Sequence, residues 1–321
     1  MSANTSDASA AGASSARRLL GASSPRYGEK AIRAFLAVCA GLSIAVTTAI
    51  VVSLVVPSIS FFGEVPIRDF LFGTGWFPDF GADAQFGVLP IVVGTLTVVV
   101  ISLLVAIPVG LLSAIYLAEY APPRLRRIVK PALEVLEGIP TVAIGLFALL
   151  FLRPLAETLL PFLPWRTPFA VGIAGVAVGL MIVPLVASVS EDAMRAVPGT
   201  LREGAYALGS TKSRVSLRVV FPAAISGIVA ACVLATSRAI GETMVVLIAA
   251  GATPQIIPPW EVTESIQTMT AYIGSTATGD IATGSTQYDA IFAVGSLLFV
   301  MTLIMNMIAI RLVRRFREAY E

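Results

Sequence analysis

Two ionisable residues four positions apart, Arg238 and Glu242, lie inside a long apolar stretch, and they are the residues best placed to do chemistry. Side chains four apart on one helix share a face, so the guanidinium and the carboxylate are predicted to pair. The fixed fork of guanidinium N–H groups also fits two oxygens of one oxyanion. The hydroxyls of Thr236, Ser237 and Thr243 would add donors beside it.

The depth of Arg238 in this stretch makes its charge costly. Counted from Pro222, where the stretch begins, sixteen residues at about 1.5 Å each place Arg238 roughly 24 Å further along, near the middle of a membrane-spanning helix. An arginine at that depth costs at least about 2.5–3.5 kcal/mol, and ionisable residues kept there usually mark a translocation path. We therefore predict that Arg238 and Glu242 face such a path. The alternative is a pair that only neutralises itself.

Glu137 is a third candidate, because it precedes Gly138-Ile139-Pro140, where a helix must bend or break. Two interpretations stay open for its carboxylate. It can line or gate a path, or it can pair with an arginine of another subunit. Glu134 is expected to have the simpler role of pairing with Lys130, four residues before it.

Enzymatic chemistry has little support in this sequence. There is no His, and the two Cys, Cys39 and Cys232, both lie in apolar runs, so neither a catalytic metal site nor a disulfide is expected. The dipeptide Gly-Lys never occurs, which excludes the phosphate-binding loop of P-loop ATPases. We expect no cofactor and a non-catalytic chain, with an intramembrane enzyme as the less supported alternative.

The elements that must position these residues are membrane-spanning helices. Hydrophobic residues make up 56% of the chain and charged residues only 13%, about half the share of a soluble domain. A helix crosses the hydrocarbon with about 20 mostly apolar residues. The runs are continuous rather than alternating, which predicts an all-α integral membrane protein and not a β-barrel. Six runs reach spanning length: Ala31–Val56, Gly87–Leu117, Ile128–Leu152, Phe169–Ser190, Pro222–Ala250 and Tyr288–Val313.

Positive charge is sorted between the two faces of this six-helix arrangement. Eighteen of the 22 Lys and Arg residues fall before the first run, between the second and third, between the fourth and fifth, or after the sixth. Arg68, Arg153 and Arg166 lie on the opposite face, and Arg238 lies within a span. Since cytoplasmic loops carry the excess of Lys and Arg, both termini are predicted to be cytoplasmic.

The remaining segments complete the predicted organisation. The Ser- and Ala-rich residues 1–28 are predicted to be a disordered cytoplasmic tail, and residues 29–321 the membrane domain, whose first run is a retained signal anchor. The outer segment 251–287 has no Lys or Arg and is predicted to be an ordered loop with short helical pieces and Trp260 at headgroup level. A seam of small residues predicts close helix packing at Gly172, Gly175 and Gly179.

The connector between the fourth and fifth spans has the most specific local pattern. Pro198-Gly199 predicts a turn, Thr200 a helix cap, and Glu203 the other half of a capping box. A break at Gly209 and a second amphipathic helix ending at Pro222 would complete a surface hairpin. Small residues on such a hairpin suit close docking of another protein. The alternative is an ordinary polar connector.

The spacing in this hairpin resembles the EAA loop of ABC importer permeases. The chain has E-x-A-x-x-x-G at 203–209 and, after nine residues, V-x-F-P at 219–222; the family pattern is E-A-A-x-x-x-G, nine residues and I-x-L-P. The departures are Gly204 and Phe221. The resemblance implies the type I ABC importer permease fold with a cytoplasmic coupling helix. It also implies the residues that dock on the ATP-hydrolysing subunit: Glu203, Ala205 and Gly209.

Other stretches narrow the resemblance to the phosphate permease pair PstC and PstA, at 114–121, 131–142 and 238–244. The outer segment at 73–79 is similar to PstC in particular, and the resemblance extends from about residue 30 to the end. It implies one permease subunit of a phosphate importer in the bacterial plasma membrane. A permease for another oxyanion, such as molybdate or sulfate, and an ion channel are the alternatives. The residues predicted to line the substrate pathway are Arg238, Glu242, Glu137 and Thr243.

The same resemblance implies the partners. They are a second, similar permease of the PstA type, two ATP-binding subunits of the PstB type, and an extracytoplasmic phosphate-binding protein of the PstS type. Because the chain itself lacks a P-loop, energy must come from the separate ATPase. Alternating access, driven through the coupling helices, is the implied mechanism.

Overall fold

The computed structural model describes most of the chain: residues 27–79, 81–258 and 260–317. The chain divides into two compact units, residues 1–53 and residues 54–321. The predicted disordered tail lies almost wholly outside the described residues, since only Tyr27 and Gly28 of it are described, at the start of the first helix.

Helices dominate the described residues. In chain order they are α1 (Tyr27–Glu64), α2 (Ile67–Phe72), α3 (Leu89–Ile115), α4 (Pro123–Glu137), α5 (Thr141–Phe147), α6 (Arg153–Leu159), α7 (Val171–Arg195), α8 (Gly199–Ala207), α9 (Lys212–Val215), α10 (Phe221–Ala223), α11 (Ile225–Gly241), α12 (Met244–Ala249), α13 (Met269–Ala277) and α14 (Thr286–Arg317). Turns of π-helix follow three of them, at Tyr116–Tyr120, Ala148–Leu152 and Ser216–Val220. Strands β1 (Trp76–Phe77) and β2 (Gln85–Phe86) pair antiparallel around a 3₁₀ turn at Gly81–Asp83. We call the face that carries α8 the inner face and the face that carries β1 and β2 the outer face.

Five stretches of the described chain are long and apolar enough to cross a membrane: Glu29–Glu64, Leu89–Tyr120, Thr141–Leu159, Val171–Arg195 and Thr286–Arg311. A sixth crossing is available from a bent pair of segments, Lys212–Ala223 and Ile225–Gly241, whose axes differ by 71°. The structure therefore agrees with the predicted six-helix arrangement, with the fifth crossing bent.

The third span is displaced from its predicted position. α4 ends at Glu137, and the spanning segment begins at Thr141 instead of Ile128. Pro140 has no N–H to donate and disfavours a helical conformation in the residue before it, so the helix breaks at 138–140. A separate helix, α4, therefore occupies the first part of the predicted run Ile128–Leu152.

The fifth predicted span is also not one helix. α11 ends at Gly241, Glu242 is extended with φ −69° and ψ 128°, and α12 begins at Met244. Glycine and the β-branched Thr243 both have low helix propensity, which weakens the helix at this point. The break places Glu242 and Thr243 between the end of α11 and the start of α12 rather than on the face of one helix.

α3 and α7 pack closely at the centre of the larger unit. A Cβ atom at Gly175 would lie 2.6 Å from a side-chain atom of α3, and one at Gly179 would lie 2.8 Å from the carbonyl oxygen of Ser102. Only hydrogen fits at either position, so the predicted packing seam is confirmed there. Gly172 instead abuts the outer segment, because its Cβ would lie 2.9 Å from the carbonyl oxygen of Val262.

The outer face is tied together by aromatic rings. Trp76 of β1 lies edge-to-face on Tyr272 of α13, with ring centroids 4.8 Å apart. The described residues from Gly251 to Thr268, which leave out residue 259, form turns but no regular helix, and α13 supplies the short helical piece that was predicted. Further edge-to-face pairs join rings of this cluster: Phe61, Phe62, Phe70, Trp76 and Phe86.

Candidate translocation and coupling sites

Arg238 lies on α11, three residues before the helix ends, and its partner is Glu137, the last residue of α4. Nη1 of Arg238 and Oε1 of Glu137 are 3.4 Å apart. The two side chains are 35% and 33% exposed. The predicted pairing of Arg238 with Glu242 is wrong. Because α11 ends at Gly241, the geometry that brings residues four apart together is lost.

Glu242 has a local role at the break. Its carboxylate Oε1 accepts a hydrogen bond from the backbone N–H of Val245 at 3.1 Å, which satisfies one of the free donors at the start of α12. Its carbonyl oxygen accepts a bond from the hydroxyl of Thr270 at 2.7 Å, so α13 supports the same turn. Glu242 is buried, and Thr243 donates to the carbonyl oxygen of Gly241 at 3.3 Å.

The breaks in the third and fifth spans lie side by side. α5, which follows the first break, packs against α12, which follows the second: a Cβ at Gly145 would lie 3.1 Å from Ile248 and 3.3 Å from the Cα of Val245. Glu137 and Arg238 each lie just before one of the two breaks, and their pairing joins α4 to α11. Broken helices at membrane depth are tolerated where they line a cavity or are buried in protein.

The face of α11 that carries Arg238 is only partly covered by the described residues. Leu234, one turn earlier, is 51% exposed, and Gly241, one turn later, is also exposed. The Nε atom of Arg238 is buried and has no hydrogen-bond partner among the described residues. A guanidinium with unused donors fits a polar path or a contact with another subunit better than it fits lipid. Chemically, it can bind one oxyanion beside Glu137.

The predicted hairpin between α7 and α11 is present. Gly209 has φ +76°, its N–H donates to the carbonyl oxygen of Tyr206, and the N–H of Ser210 donates to that of Ala205. This is the Schellman arrangement that ends a helix on glycine. The predicted capping box is wrong: Pro198 occupies the cap position of α8, and no side chain caps it.

The exposed residues of α8 define a surface suited to docking. Glu203 and Gly209 are exposed, whereas Ala205 is half-buried against the hairpin's own apolar cluster around Val215 and Val220. The structure adds three apolar side chains that the motif does not include. They are Leu201, Tyr206 and Leu208, of which Leu208 is 88% exposed beside the glycine turn. Apolar residues in a polar connector were the sequence signal for them.

Arg202 anchors α8 to the ends of two spans. Its Nε and Nη2 atoms donate to Oε1 of Glu119, beyond the end of α3, at 3.2 and 3.0 Å. Its Nη1 donates to the carbonyl oxygen of Val197 at 2.7 Å, and Nη2 also donates to that of Met194 at 2.8 Å. Nothing in the sequence marks Arg202 out from the other cations, because its partners lie in other elements.

A buried carboxylate, Glu191, joins α4 to α7. It is fully buried and accepts from Arg126 Nε at 2.7 Å and from Lys130 Nζ at 2.9 Å, with Arg195 Nε at 3.7 Å. The hydrogen bond with Glu191 raises the pKa of Arg126 above its usual value. The predicted Lys130–Glu134 pair is wrong, because Lys130 turns to Glu191 and to Asp192.

Comparisons of the sequence identify its relatives. Residues 106–318 match the family described as "Binding-protein-dependent transport system inner membrane component". The "Probable ABC transporter permease protein YqgH" of Bacillus subtilis is 33% identical over 276 residues, which cover 84% of this chain and 86% of that protein. The "Phosphate transport system permease protein PstC 1" of Mycobacterium tuberculosis is 35% identical over 250 residues, covering 72% and 73%. That of Haemophilus influenzae, named PstC, is 34% identical over 274 residues, covering 79% and 83%.

Solved structures share the fold at lower sequence identity. A bacterial alginate ABC transporter in complex with its alginate-bound periplasmic protein contains a chain that matches with a TM-score of 0.60 and 18% identity, covering 90% of this chain and 98% of that one. A chain of the inward-facing MetNI methionine ABC transporter matches with a TM-score of 0.51 and 20% identity, covering 72% and 94%. The fold is that of a type I ABC importer permease, and the chain belongs to the family of inner membrane components of binding-protein-dependent transport systems.

Proposed function

We propose that this chain is a permease subunit of an ATP-driven importer and that its solute is inorganic phosphate. The observation that carries the proposal is the Arg238 guanidinium, which lies beside two broken spans and has N–H groups that bond to no described residue. Relatives of the chain are named as phosphate permeases. Arg238 would contact the passing anion by its N–H fork. Glu137, Glu242 and Thr243 would shape the path around it.

The subunit would form half of the pathway and a similar permease, of the PstA type, the other half. The partly covered face of α11 supports this arrangement, since a charged face with free donors requires a polar neighbour. The α8 hairpin would dock on one of two ATP-binding subunits through Glu203, Gly209 and the exposed Leu208, with Ala205 keeping the hairpin tightly packed. A phosphate-binding protein would deliver the anion at the outer face, and both termini would be cytoplasmic.

Another tetrahedral oxyanion, molybdate or sulfate, is the second candidate for the solute. A guanidinium binds any of these oxyanions by the same pair of hydrogen bonds, so Arg238 does not discriminate between them. The preference for phosphate rests on the named relatives.

Uptake into proteoliposomes that contain the complete transporter and its binding protein would test the solute. Radiolabelled phosphate should accumulate only with ATP available to the ATPase. Excess unlabelled phosphate or arsenate should compete, and sulfate or molybdate should not. ATP-dependent accumulation of sulfate or molybdate in place of phosphate would overturn the assignment.

A further inference from the structure

We propose that α4 is a latch: Glu137 at its end occupies Arg238 when no anion is bound, and Glu191 of α7 holds the other end of α4 in place. The inference rests on the proposed role of Arg238 as the residue that contacts the anion. It assigns Glu137 as the internal competitor of the anion and Glu191 as a positioning residue that acts through α4.

The contact at Arg238 is loose enough to exchange. The Nη1–Oε1 distance is 3.4 Å, both side chains are about one-third exposed, and Nε of Arg238 has no partner among the described residues. An arriving oxyanion can displace the carboxylate, because it offers two oxygens to the guanidinium fork where Glu137 uses one.

The contact at the other end of α4 is tight. Glu191 is only 1% exposed and lies 2.7 Å from Arg126 and 2.9 Å from Lys130, both on α4. Breaking such a pair leaves a buried charge without compensation, so this end of α4 stays attached to α7 and moves with it. No residue of α4 is itself fully buried, and these charge pairs tie the helix to α7.

A movement of α4 at the Glu191 contact can be transmitted along the helix to the Arg238 contact. Lys130 and Glu137 are seven residues apart, about 10 Å along a helix axis. Beyond Glu137 the chain breaks at 138–140, so α4 can shift as a unit without carrying α5 with it. A small displacement at Glu191 therefore moves Glu137 relative to Arg238.

The coupling hairpin contacts the chain at the end of α7, close to Glu191. Arg202 of α8 binds the carbonyl oxygens of Met194 and Val197, three and six residues beyond Glu191 in the chain. A pull on α8 by the ATPase is passed to the end of α7 and from there, through Glu191, to α4. ATP-driven movement would thus set whether Glu137 or the anion occupies Arg238.

The test uses the complete reconstituted transporter and measures ATP hydrolysed per phosphate imported. Glu137→Gln and Glu191→Gln should each raise this ratio by about fivefold or more, the lower end of usual coupling between linked sites. The double variant should be no worse than either single one, because both changes disable one device. Glu134→Gln, on the same helix with its side chain exposed, is the matched control and should leave the ratio unchanged.

The outcomes separate the latch from the pathway. Lys130→Gln leaves Glu191 paired with Arg126 and Arg195, so it should raise the ratio of ATP hydrolysed to phosphate imported less than Glu191→Gln does. If Glu191→Gln does not assemble, Lys130→Gln takes its place in the test. If Arg238→Gln abolishes uptake while Glu137→Gln has a normal ratio, the latch is wrong and the pathway stands. If Arg238→Gln imports phosphate normally, the proposed contact with the anion is wrong and the latch falls with it.

Discussion

The guanidinium of Arg238 gives one N–H group to Glu137 and keeps others unused, which is an uncommon state for a charged group inside a spanning region. A planar fork can hold an oxyanion by two parallel hydrogen bonds, whereas an ammonium group acts as a point charge. The geometry of the fork, and not only its charge, is therefore expected to matter.

Replacing Arg238 with Lys tests this requirement. The charge is kept and one of two parallel bonds is lost, so the initial rate of phosphate uptake should fall about tenfold without disappearing, the equivalent of about 1.4 kcal/mol. Arg124→Lys, at an exposed position near the start of α4, is the control and should transport normally. Unchanged uptake by Arg238→Lys would mean that only its charge is used.

Glu242 is expected to tolerate loss of its charge but not loss of its acceptor. Glu242→Gln keeps an oxygen for the N–H of Val245, so uptake and stability should stay close to normal. Glu242→Leu removes that oxygen and should lower the free energy of unfolding by about 1 kcal/mol, as for a lost helix cap. The melting temperature of the purified complex reports the difference. Loss of uptake in a stable Glu242→Gln complex would show that the charge itself takes part in transport.

The candidate residues could be predicted from sequence more readily than their partners. Arg238 and Glu137 were both identified because each is unusual where it stands, but they lie 101 positions apart and only the folded chain brings them together. Glu191 was missed for the same reason, since a carboxylate at the end of an apolar run gives no sign of being fully buried under cations from another helix.

At the scale of helices, the number of spans followed from apolar length and the break at 138–140 from Gly-Ile-Pro, whereas the break in the fifth span did not follow from the sequence. The break at 138–140 was visible in the sequence as Gly-Ile-Pro, yet the apolar run that crosses it concealed where the span begins. The break after Gly241 depends on hydrogen bonds that Glu242 accepts from the N–H of Val245 and from the hydroxyl of Thr270, and the second of these is a tertiary contact. Hydropathy sums over a window and cannot resolve a two-residue interruption.

The hairpin of α8 and α9 leads to a prediction about docking. Leu208→Glu should leave the protein inserted in the membrane but abolish co-purification with the ATP-binding subunit, because an 88% exposed leucine is explained by an apolar contact with a partner. Ser213→Glu adds the same charge at an exposed site on α9 and should co-purify normally. Full recovery of the ATPase with Leu208→Glu would place the docking surface elsewhere.

For the whole molecule, the separation of charge gives an orientation that the fold alone does not. The structure puts the basic helix α4 and the α8–α9 hairpin on the inner face and the aromatic cluster on the outer face. Arg153, one of three cations predicted on the outer side, lies near the end of its span, with its guanidinium 4.4 Å from the Trp165 ring and its Nη2 bonded to the carbonyl of Thr167. These contacts hold a cation at the outer end without contradicting the charge bias.

Labelling of single cysteines from one side of the membrane would decide the orientation. In a chain without its two native cysteines, a reagent that cannot cross the membrane should label Thr278→Cys from outside intact cells and miss Ser213→Cys until the membrane is permeabilised. Both positions are exposed, at the end of α13 and on α9, so protection of one of them reports the membrane and not burial. The expectation follows from eighteen of 22 cations lying on the face that carries Ser213. If both positions were labelled from outside, the chain would have to cross the membrane an even number of times, or not at all, between residues 213 and 278, instead of once. That would make the bent pair, Lys212–Ala223 and Ile225–Gly241, a re-entrant loop rather than a span.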